Sequence, residues 1–112
     1  MAVQQIGLSD EMEACVDSCT EAAEVCEWCA DECADHGEGM AECIRLCRDV
    51  ADIASLCARL CTRGSEFNSE IAEACAEACE ACAEECEGHD HEHCQTCAEI
   101  LPQCAESCRA MA

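Results

Sequence analysis

The chain contains no lysine and no tyrosine, and has one proline, one phenylalanine and one tryptophan in 112 residues. Five arginines face 26 carboxylates, giving a formal net charge of -21. A surface of that sign repels phosphate backbones and anionic lipid, which excludes nucleic acid and membrane as partners. The missing lysine reads as the bias of an organism with high internal salt, where ions screen the self-repulsion. An exterior that draws cations towards the protein is the companion reading. Large apolar side chains are also scarce: Leu, Ile, Val and Phe together number 15. By itself that profile describes a disordered chain. No long apolar run and no basic leader occur in Met1–Leu8, so a cytosolic protein with reduced thiols is expected.

What the chain does have is cysteine, 17 of them, with 20 alanines. An odd number cannot be used up in disulfides within one chain. Either the chain is unfolded or cysteine occupies the places usually held by leucine, and the spacing decides between the two.

The length suits one domain, residues 1–112. Its punctuation predicts four helices, over about 9–35, 40–63, 66–87 and 91–110. Ser9 is the N-cap candidate for the first, with Asp10 and Glu11 at the positive end of the helix dipole. Gly37 and Gly39 break the chain, Gly64 closes the second helix, and Ser65 and Asn68 are alternative N-caps for the third. Pro102 lies within the fourth helix and should bend it, because the cysteine pattern resumes beyond it. Short connections make neighbouring helices antiparallel. The predicted fold is therefore all-α, an up-down-up-down four-helix bundle with a cysteine-lined core.

Heptad registers carry that prediction. In the first helix Cys15 and Cys29 fall at d, and Cys19, Cys26 and Cys33 at a; in the second, Cys43 and Cys57 at d, Cys47 and Cys61 at a. The third places Cys75 and Cys82 at d and Cys79 and Cys86 at a; the fourth places Cys97 and Cys104 at d and Cys94 and Cys108 at a. Every cysteine reaches the seam, where a randomly placed residue lands about two times in seven. The remaining seam positions include Ala22, Val50, Ala54, Ala72 and Leu101. One or two such thiols would be ordinary core packing. Seventeen are not, since leucine would bury more area and resist oxidation.

Sulfurs three or four residues apart on one helix face can share soft cations, and facing helices should extend them into a continuous column of thiolates. Zinc favours closed tetrahedral knuckles, and ferredoxin clusters use a proline-terminated run that Cys75–Cys86 does not match. Cu(I) accepts two or three bridging sulfurs, so multiple Cu(I) ions on the thiolates fit best. Zinc or cadmium could occupy the same sulfurs. Uncharged thiols pack as apolar groups, so the metal-free bundle should already be helical.

One end of such a bundle gathers His36, Met40, His89, His91 and His93, the candidate entrance for metal, with His36 and Met40 directed down the axis by register. A solvated polar loop is the plain alternative for the three later histidines. Leu8, Met12, Phe67 and Met111 should plug the other end. The second helix carries four of the five arginines and a wide apolar flank, Leu46, Ile53 and Leu60 with Ile44, Ala51 and Ala58. That makes it the candidate homo-oligomer interface, unless the flank packs within the monomer. Trp28 is read as flank packing.

With its repeated Cys-x-x-x-Cys and Cys-x-x-Cys helices over about residues 10–110, the chain resembles the bacterial copper storage proteins, cysteine-rich four-helix bundles. The resemblance implies Cu(I) stored on cysteine thiolates, a tetramer, histidine and methionine near the loading end, and the cytosolic branch of the family. Strong acidity, Pro102 and the His-Asp-His-Glu-His connection are departures from it. Three classes compete: metal storage and detoxification; a chaperone or buffer for copper or for another thiophilic metal such as zinc; and a redox or iron–sulfur carrier. No hydrolytic or nucleotide motif is visible, and no enzyme is expected.

Overall fold

A computed structural model describes residues 7–112. Residues 1–6, most of the stretch read above for a leader, lie outside the described residues. Ser9 opens the first helix as its spacing predicts: its side chain accepts the Met12 N–H at 3.2 Å, and Asp10, Glu11 and Glu13 fill the first turn. The elements are α1 (Asp10–Cys33), α2 (Ala41–Thr62), α3 (Asn68–Glu87) and α4 (Glu92–Arg109), with a short 3-10 turn over Ala34–His36. No strand occurs among the described residues.

The break after α2 shows how the chain reverses. Gly64 has φ of 61°, and its N–H donates to the Cys61 carbonyl while Ser65 N–H donates to Leu60. This doubled closure of the last turn needs a left-handed residue, which glycine adopts without a Cβ clash. Beyond it, neither N-cap candidate caps α3 with its side chain. The Ser65 hydroxyl accepts the Phe67 N–H at 3.1 Å, ahead of the first residue of α3. Asn68 is the first residue of α3 and is buried. It falls at d in the α3 register, so its side chain belongs to the seam.

Each helix packs on its neighbours in the chain, and α1 also packs on α4, closing a square bundle 45 × 26 × 18 Å in extent. The up-down-up-down order follows from connections too short to cross over. α4 continues unbroken through Pro102, whose ring faces solvent. Of the predicted plug residues, Leu8, Met12 and Met111 pack partly buried against the core. Phe67 does not join them; it is 60% exposed, because the turn at Ser65 holds it outside the helix end.

Candidate metal centre

All 17 cysteines are buried and unpaired as disulfides, and 16 have no exposed surface at all, Cys104 retaining 1%. The heptad seam places them there: side chains at a and d face the bundle axis from all four helices. Cysteine and alanine together make most of the core, with Val50 and Leu101 the largest fully buried side chains.

The sulfurs approach one another both along helices and across them. Cys15 lies 4.0 Å from Cys19 and 3.9 Å from Cys57, and Cys19 lies 3.6 Å from Cys108. Cys33 meets Cys43 at 3.6 Å, Cys43 meets Cys86 at 3.8 Å, and Cys47 meets Cys82 at 3.6 Å. Five groups of three or four sulfurs have all members within 4.8 Å of one another, for example Cys15, Cys19, Cys57 and Cys108, or Cys29, Cys43, Cys47 and Cys86. Three-sulfur Cys26, Cys47 and Cys82 is another. A metal–thiolate bond is about 2.3 Å, so one ion spans about 4.6 Å between two sulfurs. The groups are therefore at bridging distance for cations with little rearrangement.

Burial and hydrogen bonding pull the thiols in opposite directions. Burial dominates at Cys33, Cys61 and Cys94 and raises each above its ordinary value, Cys61 to about 11. Cys15 is lowered, because Cys108, Cys19 and Cys57 offer hydrogen bonds to its thiolate; Cys19 is raised by bonds to Cys104, Cys108 and Cys15. Neighbouring thiols would thus stabilise a thiolate formed in this core, the role a bound cation takes over as protons leave.

The histidine end differs from the expectation in two ways. Met40 is buried in the core, as its register requires. His36 is exposed, because the chain tightens into the 3-10 turn and advances about 120° per residue, leaving the α-helical register. It lies across the mouth, its ring stacked on His91 at 4.0 Å and on His93 at 5.5 Å between centroids. His89 stays apart from the stack, bonding Glu85 at 2.8 Å, which raises its pKa. His91 is lowered, by loss of solvent and then by the charges of His36 and His93. His93 is 5% exposed and its Nε2 has no hydrogen-bond partner. Trp28 packs edge-on to His93 at 6.1 Å, so the tryptophan walls the histidine cluster.

One polar residue of the interior escaped the sequence reading. Asn68 Oδ1 is buried without a partner, and the side chain sits against Cys61 at the end of the core opposite the histidines. Its d position was the available signal; its fitness as an N-cap obscured it.

A helical bundle whose interior is a lattice of reduced thiols at bridging distances defines a container for soft metal ions. Residues 8–112 match the model of the copper storage protein family, and the chain belongs to that family. Copper storage protein 3 from Bacillus subtilis, in its apo form, is 44% identical over 89% of this chain and 97% of its own, with a TM-score of 0.84. Its Cu(I)-bound form aligns at 41% identity over 92% and 99% of the two chains, with a TM-score of 0.86. A Streptomyces lividans copper storage protein loaded with 10 copper equivalents is 32% identical over 95% of this chain and 88% of that one, with a TM-score of 0.83. A five-copper structure of a cytosolic copper storage protein from the same organism has a TM-score of 0.84 at 32% identity, covering 91% and 92%. Among curated proteins, none matches this sequence.

Proposed function

We propose that the 17 buried cysteines are the ligands of a Cu(I) store, held as thiolates bridging several ions per chain within one folded unit. The observation that carries this is the set of sulfur groups drawn from different helices, which take in 14 of the 17; Cys61, Cys79 and Cys97 are buried on the same seam but join none of the groups. Storage is a binding function, and the chain is read as having no catalytic step. A chaperone holds one exposed ion for delivery; thiols without solvent exposure do not suit that handover.

His36, His91 and His93 form the entrance, with Met40 beneath them. A buried imidazole nitrogen without a partner costs about 1–3 kcal/mol, a cost that a passing soft cation relieves. The stacked rings give Cu(I) successive nitrogen donors before the first thiols, Cys33 and Cys94. His89, engaged with Glu85, contributes less than the other three. The site of action is the cytosol, where thiols stay reduced. The assembly is a tetramer that uses α2.

Anaerobic Cu(I) titration of the reduced protein against a competing chelator tests the reading. Uptake of many ions per chain, approaching the number of cysteines, is expected. Saturation at one or two ions would favour a chaperone, and intense visible colour on isolation would favour an iron–sulfur carrier.

A further inference from the structure

The thiols share one register, yet they do not form one continuous column. On α1 the run stops between Cys19 and Cys26, on α2 between Cys57 and Cys47, and on α4 between Cys104 and Cys97. Those gaps are seven, ten and seven residues, or about 10 to 15 Å along a helix. In them sit Ala22, Val50, Ala54 and Leu101, all with no exposed surface. The three gaps coincide in level because the antiparallel helices are aligned, and they make an apolar belt across the core.

Contacts between sulfurs respect the belt. Among the described residues, every sulfur–sulfur hydrogen bond joins two cysteines on the same side of it. None of the five sulfur groups spans it either. An ion reaching about 4.6 Å between sulfurs cannot bridge a gap of about 10 Å. Only α3 carries sulfur through the belt. There Cys79, one turn from Cys75, belongs to one side, while Cys82 meets Cys47 and Cys86 on the other. These two are three residues apart, about 5–6 Å between Cβ atoms, which a small shift brings within reach of one ion.

We propose that the belt divides the store into two compartments, one beneath the histidines and one towards the Met12 end, and that the Cys79–Cys82 step on α3 is the crossing between them. The crossing is a ligand exchange: Cu(I) leaves the Cys82 sulfur for that of Cys79, Cys79 gives up its thiol proton, and Cys82 takes a proton in return. Copper remains Cu(I) throughout. The histidine-side compartment exchanges quickly with solvent, and the far compartment exchanges only through it. This rests on the storage reading above.

Extraction kinetics from the full-length, Cu(I)-loaded protein under anaerobic conditions test it, with excess bathocuproine disulfonate as the acceptor and its copper complex followed by absorbance. Two phases are expected, each with an amplitude of several ions. Leu101→Cys puts a sulfur into the belt between Cys97 and Cys104, and the slow phase should be lost into the fast one. Leu101→Ala opens the same space without sulfur and should keep both phases. Cys79→Ser should slow the slow phase further, and adding Leu101→Cys to it should restore the rate. Circular dichroism of each apo variant checks folding. A single phase in the unmodified protein at full capacity would overturn the compartments while leaving storage intact, as would identical behaviour of the two Leu101 variants. A capacity of one or two ions would overturn storage itself.

Discussion

A cysteine thiol is small, weakly polar and nearly as buriable as a methyl-bearing side chain when protonated, so it can serve as core and as ligand. That double role depends on protonation. Cys61 is the clearest case, raised by burial from an ordinary 9.0 to about 11. A raised thiol pKa means the fold favours the protonated form. The stabilisation is complete below pH 9.0 and is lost as pH rises from there to about 11, where the unfolded chain has given up a proton that the folded chain retains. Urea denaturation of the apo protein should therefore show stability falling across that window, with Cys33 and Cys94 adding in the same direction. The copper-loaded protein should lack this dependence, because its thiolates are already deprotonated and neutralised by the ions they hold.

Among the elements, α4 carries the most local conflict. Pro102 removes the N–H that would bond the Ala98 carbonyl, and a proline in a helix interior is worse than alanine by about 3 kcal/mol. The helix persists because Leu101, Cys104 and Ala105 are buried on either side of it. Pro102→Ala should raise the apo melting temperature by the equivalent of up to about 3 kcal/mol, read by thermal circular dichroism. Copper capacity should be unchanged, since residue 102 faces solvent. At the other extreme, α1 ends by tightening into the 3-10 turn, and that turn aims His36 across the mouth of the bundle.

At the scale of the molecule, the acidic exterior and the metal-accepting interior are separate layers. Of the arginines, Arg45 pairs with Glu42 and Arg109 with Glu80, both pairs exposed and worth little to stability. The apolar flank of α2 is largely used inside the chain: Ala51 and Leu60 are buried, and Ile44, Leu46, Ile53 and Ala58 pack half-buried on the core. What remains is a groove of Ile53 and Leu56 with Ile71 and Ala78 of α3, rimmed by Asp49 and Asp52. A protein of net charge -21 associates only where favourable contact overcomes repulsion, and at α2 the apolar groove supplies that contact. Sedimentation equilibrium should give a mass of four chains, and Ile53→Glu should return the monomer with its helical content intact. A monomer in the unmodified protein would remove α2 as the interface.

The four helices and the burial of every thiol could be read directly from residue order, because a period of 3.5 residues forces a shared face whatever the rest of the chain does. Ser9 and Gly64 were legible for the same reason: caps act over one turn. The aim of His36, the pairing of His89 with Glu85 and the exposure of Phe67 were not, since each depends on how a turn presents its side chains to other elements. The chemistry of the store, soft sulfur in quantity, was thus determined by the sequence alone. Its division by Ala22, Val50, Ala54 and Leu101 was decided only in three dimensions, because a gap in one helix becomes a barrier when the gaps of its neighbours arrive at the same height.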